Sequence, residues 1–204
     1  VIFGHVVQIL IFIGALAAFH AFLRALMDWA ARTRAASFPD WAWAGLGYPL
    51  FLWAACAWIG FGHITPDMLV LLFSLLLATR ATKMASGDTH FTSYIKLGAL
   101  VALSYFAKSV LLPVGIVFIL AAACLANTAR ERRRKGGAAL GMALFLAMPC
   151  WLTLSLQSGR LTISDTGRLN FRWYNSPSHV KVNWQGRTEG TGTPLHAPRE
   201  VHYP

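Results

Sequence analysis

The chain has 204 residues, of which 56% are hydrophobic and only 13% charged, and its mean hydropathy is +0.51. That charged share is about half the average for a soluble domain, which excludes an ordinary water-soluble globule and points to a protein that crosses a membrane several times. The net charge of +10 lies partly in clusters between apolar runs, so it reads as membrane topology and contact with anionic lipids rather than as a nucleic-acid interface.

Six apolar blocks can be read in chain order, over residues 1–23, 41–61, 67–79, 91–106, 111–126 and 137–156. A crossing needs roughly 20 apolar residues, so the third to fifth blocks are short and imply tilted or partly embedded segments. The pattern predicts an all-α polytopic membrane protein with about six transmembrane helices over residues 1–157. The first block opens at Val1 inside an apolar run, without a charged leader, and the chain is expected to be a fragment with more sequence upstream.

Basic residues then orient the blocks. Arg24, Arg32 and Arg34 follow the first, Arg80 and Lys83 the third, and Arg130-Glu131-Arg132-Arg133-Arg134-Lys135 the fifth. Every second connection is basic, and the positive-inside rule puts these connections in the cytoplasm. His63, Lys108 and everything from Gln157 onward then fall on the outer side.

Between the second and third blocks stands Gly62-His63-Ile64-Thr65-Pro66-Asp67. An ionisable group where one span ends and the next begins is a candidate functional site. The structural alternative is that Pro66 starts the helix and Asp67 complements its positive N-terminal end. His63 and Asp67, four apart, could hold a divalent metal or an acceptor group. Lys108, between the fourth and fifth blocks, can meet a phosphate as a compact cation or anchor a span end by reaching for water. His5, His20, His90, His179, His196 and His202 form no ligand spacing, and Cys56, Cys124 and Cys150 all lie in apolar blocks without paired spacing.

Beyond the sixth block the composition changes. Residues 158–204 form a second region, where Leu161 and Ile163, then Leu169, Phe171 and Trp173, alternate with polar residues around Asp165-Thr166-Gly167. This predicts two short strands joined as a hairpin in a small extracytoplasmic segment. The following Gly-, Thr- and Pro-rich stretch predicts loop, and its Gly-x-Gly lacks the Lys and helix of a phosphate loop. Trp173, Tyr174 and Trp184 could stack on sugar rings or anchor at the membrane interface.

The pieces Ile64-Thr65-Pro66-Asp67-Met68-Leu69 and Ser104-Tyr105-Phe106-Ala107-Lys108, with Pro113 beyond, resemble the Pro-Asp and aliphatic-Lys motifs of GT-C membrane glycosyltransferases. These enzymes use polyprenyl-phosphate sugars; protein mannosyltransferases and the aminoarabinose transferases of lipid A are examples. The likeness covers residues 41–160 and rests on spacing and topology. It implies a bacterial inner-membrane protein that transfers a sugar from a lipid-linked donor to an acceptor at the outer face, with membrane lipids around it. It also implies Asp67, Lys108 and His63 as substrate-binding residues, and a divalent metal as a cofactor that His63 and Asp67 could share. In that family the catalytic base is a carboxylate in the first outer loop, which here is expected upstream of Val1. Two other classes compete: a transporter or flippase of lipid-linked material that uses Asp67 and Lys108 as coupling charges, and a non-catalytic scaffold whose outer tail binds a partner.

Overall fold

A computed structural model of the chain describes residues 2–33, 38–59, 65–164, 181–182 and 200–201. Among the described residues six α-helices follow one another: α1 (Ile2–Thr33), α2 (Asp40–Trp53), α3 (Asp67–Ala85), α4 (Phe91–Ala107), α5 (Leu111–Cys124) and α6 (Ala129–Ser158). A π-helical turn, Ala54–Ile59, continues α2 shortly after Pro49. Proline has no N–H to return to the carbonyl four residues back, and a widened turn nearby is one way a helix absorbs that defect. Lys181–Val182 pairs antiparallel with Glu200–Val201. Of the hairpin expected around Asp165-Thr166-Gly167, Leu161 and Ile163 are described and form no strand, while the rest lies outside the described residues, as does His63.

Among the described residues four segments are long and apolar enough to cross a membrane: Phe3–Thr33, Asp40–Ile59, Asp67–Ala85 and Ala129–Ser158. α4 and α5, with 17 and 14 residues, reach about 25 and 21 Å at ~1.5 Å per residue, against a hydrocarbon core of ~30 Å. The expected helical class is therefore observed, and where six crossings were expected there are four helices long and apolar enough to span a membrane and two shorter apolar ones. Polar residues set that limit. Thr89 and His90 precede α4, and Lys108, in extended backbone at φ −160°, separates it from α5.

The basic clusters also differ from expectation, because they lie inside helices rather than between them. Arg24 and Arg32 belong to α1, Arg80 and Lys83 to α3, and Arg130 to Lys135 open α6. Arginine and lysine are good helix formers, and their long stems carry the charge from a helix end out to water. With 32 residues, α1 is about 48 Å long and overshoots a hydrocarbon core by roughly three turns, enough to place Arg24, Asp28 and Arg32 near an interface.

Burial shows what environment this packing suits. Fully covered positions are rich in alanine, including Ala15, Ala55, Ala102, Ala139 and Ala147, while Trp41, Trp58, Val117 and Phe145 turn outward. In water such a surface would be a liability. In a bilayer the lipid is as apolar as leucine, so helices associate through small residues that let backbones close on each other.

Individual contacts fix the directions of the helices. Gly14 of α1 faces Leu72 of α3, and further along Arg32 donates to the Ser86 carbonyl at 3.1 Å, so α1 and α3 run parallel. α4 returns antiparallel to α3 through a tight turn at Gly87, whose φ is +108°. There Asp88 N–H bonds to the Lys83 carbonyl and Gly87 N–H to that of Met84, the paired bonds of a Schellman ending that needs a left-handed residue. α5 runs antiparallel to α4, with Gly115 against Val101 and Tyr94 Oη donating to the Ala122 carbonyl at 2.9 Å. α6 begins parallel to α4, with Gly98 on the Ala139 backbone and Lys135 Nζ 5.7 Å from the Tyr94 ring centroid.

By its contacts the chain divides into two compact units, Val1–Ala147 and Met148–Pro204. In the second, α6 closes on Gly159 at φ +64°, with Arg160 N–H bonded to the Ser155 carbonyl. The Ser155 hydroxyl donates to the Thr162 carbonyl and accepts from Thr162 N–H, which fastens the chain leaving the helix.

Candidate functional site

Asp67 is the first residue of α3, placed there by Pro66, whose carbonyl accepts from Val70 N–H at 2.9 Å. Proline's fixed φ suits a helix start, and a carboxylate in the first turn complements the unpaired N–H groups of that end. Lys108 is the break between α4 and α5. Its N–H bonds to the Ser104 carbonyl and its own carbonyl accepts from Leu111 N–H, so both neighbouring helices hold its backbone.

Because α4 returns antiparallel along α3, these two positions meet. Lys108 Nζ donates to Asp67 Oδ1 at 2.8 Å across 41 residues of sequence. The side chains remain 41% and 45% exposed. An ion pair this open contributes about 0–1 kcal/mol to stability, since solvent screens it and two side chains must be ordered to make it. It also leaves the ammonium within reach of a ligand oxygen.

Asp67 already has an ammonium on its carboxylate, and among the described residues no three His, Cys, Asp or Glu side chains converge. Of the three expected site residues, Asp67 and Lys108 are brought together, and His63 lies outside the described residues.

A second feature belongs to the same end of the bundle. His5, Gln8, Ile9 and Phe12 of α1 line a cavity of about 310 Å³. The pairing of Gly14 with Leu72 puts Gln8 at the level of the Pro66-Asp67 start. Gln8 is buried, and among the described residues its Nε2 has no hydrogen-bond partner. A buried amide donor without a partner is costly, and each such group calls for an explanation. Sequence reasoning missed Gln8. The available signal was an amide three residues after His5 in an otherwise apolar run, on one helix face.

At the other end of α3 a polar cluster ties the turn into α4. Arg80 Nη1 is 3.0 Å from Asp88 Oδ2, and the Ser93 hydroxyl donates to Asp88 Oδ1 at 2.6 Å. That hydroxyl, and then the guanidinium, hold the Asp88 carboxyl below the usual aspartate range, against the opposing effect of partial burial. Elsewhere His20 Nδ1 lies 2.7 Å from Tyr48 Oη, joining α1 to α2. No protein-family model, curated protein or solved structure matches this chain.

Proposed function

We propose that the chain is part of a membrane glycosyltransferase that moves a sugar from a polyprenyl phosphate to an acceptor hydroxyl at the outer face of a bacterial inner membrane. Asp67 and Lys108 belong to its donor site. The observation that carries this reading is the 2.8 Å contact between the two residues on which the motif resemblance rests, made by half-exposed side chains at one end of the bundle.

The chemistry suits the pair. In sugar transfer the acceptor oxygen bonds to the anomeric carbon as the bond from that carbon to the phosphate oxygen breaks. The phosphate leaves with the electron pair. An ammonium beside the leaving oxygen stabilises the charge that builds there, and a lysine does this as a compact point charge. Asp67 holds that ammonium in place before the donor arrives, and the phosphate then competes for it. The acceptor proton passes to a base that is not assigned to any residue of this chain.

A second reading has its own support: a carboxylate in the first turn of α3 that also meets Lys108 is a plain pin between helix ends. Donor binding separates the two. With the full-length protein in liposomes, Lys108→Met is expected to weaken polyprenyl-phosphate-sugar binding and to lower sugar transfer by about 10²-fold, the scale of a lost electrostatic group. Lys108→Arg is expected to keep part of both, because it keeps the charge. Normal donor binding and transfer by the Met variant would leave the pair as a pin and remove the enzymatic reading's main support.

A further inference from the structure

At the Gly87 end of α1 and α3 there is a polar cavity of about 410 Å³, lined by Asp28 and Arg32 of α1, Lys83 of α3, and Ser86, Gly87 and Asp88 of the turn. At ~30 Å³ per water it has room for about a dozen waters, far more than a single ion needs. Asp88 is already satisfied by Arg80 and Ser93. Arg32 donates to the Ser86 carbonyl, a neutral partner. Among the described residues, Asp28, Arg32 and Lys83 have no ion-pair partner, although Asp28 and Arg32 stand one helical turn apart.

The field in this cavity has two signs. α1 and α3 run parallel and both end here, so the negative ends of their helix dipoles lie beside Asp28. The same cavity holds the guanidinium of Arg32 and the ammonium of Lys83. A simple anion would gain the two cations but meet Asp28 and two negative helix ends. A simple cation would meet the reverse. A ligand that carries both charges a few ångströms apart satisfies each group.

The depth of the cavity narrows the choice further. Asp28 and Arg32 stand in the charged last turns of α1, beyond its apolar run 1–23, and fall at the level of phospholipid head groups when that run fills a hydrocarbon core. We propose that this cavity binds a phosphoethanolamine group, with Lys83 and Arg32 taking the phosphate and Asp28 the ammonium. An ammonium offers three N–H donors to Asp28 and the turn carbonyls, whereas a trimethylated one offers none. The site lies at the opposite end of α3 from Asp67 and stands independently of sugar transfer.

The test uses the purified protein in a maltoside detergent, titrated with dioctanoyl phosphatidylethanolamine, phosphatidylcholine and phosphatidylglycerol and read by native mass spectrometry. The ethanolamine lipid is expected to bind about tenfold more tightly than either of the others, the scale of one charge-assisted hydrogen bond. Asp28 and Lys83 are exposed side chains, so their replacement leaves the bundle intact, which melting temperature checks. Asp28→Asn is expected to erase the preference for ethanolamine over glycerol. Lys83→Gln is expected to weaken both lipids, and Lys83→Arg to restore them. Free phosphoethanolamine identifies the source: competition at the same concentration as the lipid means a soluble ligand, and failure to compete means a membrane lipid. Equal binding of all three lipids by the parent, or unchanged ethanolamine binding in both Asp28→Asn and Lys83→Gln, would overturn the proposal.

Discussion

A single added methyl group tests the helix contacts. A Cβ on Gly98 would strike the Ala139 carbonyl, which is backbone and cannot step aside, whereas one on Gly141 would meet nothing within 4 Å. Gly98→Ala is therefore expected to destabilise the protein by about 1–3 kcal/mol, the usual cost of overpacking. Gly141→Ala is expected to be neutral or to stabilise by up to ~1 kcal/mol through helix propensity. Denaturant titration in detergent reads both, and equal destabilisation would mean that α4 and α6 do not approach at Gly98. For Asp67 and Lys108, a double-mutant cycle on stability with Asp67→Asn and Lys108→Met is expected to give a coupling of about 0.2–1 kcal/mol, as for other exposed pairs. A coupling well above that would argue that the pair's main role is structural. Both residues were legible in the sequence because each interrupts an apolar run. Their meeting was not, since it depends on how far α4 returns along α3. Gln8 stayed hidden for a related reason: whether a lone amide inside a hydrophobic helix is buried cannot be told until the helix beside it is known.

At the level of elements, the turn between α3 and α4 couples a backbone requirement to a titrating group. Asp88 sits where the Schellman ending of α3 delivers it to Arg80 and Ser93. Its carboxyl titrates lower in the folded protein than in the unfolded chain, chiefly because Ser93 donates to the ionised form and Arg80 faces it. The contribution is thus fully present above the ordinary aspartate value of ~3.9 and is lost as pH falls toward the lowered folded value. Unfolding followed between pH 6 and 3 is expected to show stability declining below about pH 4, with a shallower decline in Asp88→Asn. An identical pH profile in that variant would show that other carboxyls dominate. Helix interiors were readable from hydropathy alone, since long leucine- and alanine-rich runs have one good solution in lipid. Helix ends were not. Arg80, Lys83 and the Arg130 to Lys135 run read as connections because charge marks a membrane boundary, yet these same residues favour helix and extend it past that boundary. The shortness of α4 and α5 was visible in their blocks, and Lys108 accounts for where one stops and the next starts.

For the whole molecule, the orientation proposed across the membrane puts the basic helix ends inside, as the positive-inside rule expects. In a background with Cys56, Cys124 and Cys150 replaced by alanine, Ser86→Cys and Ala129→Cys are expected to resist a membrane-impermeant thiol reagent in intact cells, and Ser178→Cys to react. The reverse pattern would invert the protein and end the proposal of sugar chemistry at the outer face. Apolar blocks say which segments enter a membrane but not which neighbour each one takes, so the parallel pairing of α1 with α3 could not be read from the sequence. That pairing has a consequence in time. α1 packs most extensively against α3, and Leu72 leaves the ribosome 58 residues after the Gly14 it will touch. At roughly 5–20 residues per second, α1 waits about 3–12 seconds for its principal neighbour. Only α2 arrives in the interval, laying Phe51 on Phe19 with ring centroids 4.8 Å apart and Gly47 beneath Phe19 and Leu23. α2 is thus the neighbour that can cover α1 before α3 exists, and damage to Phe51 or Gly47 is expected to tell on the nascent chain as well as on the finished bundle.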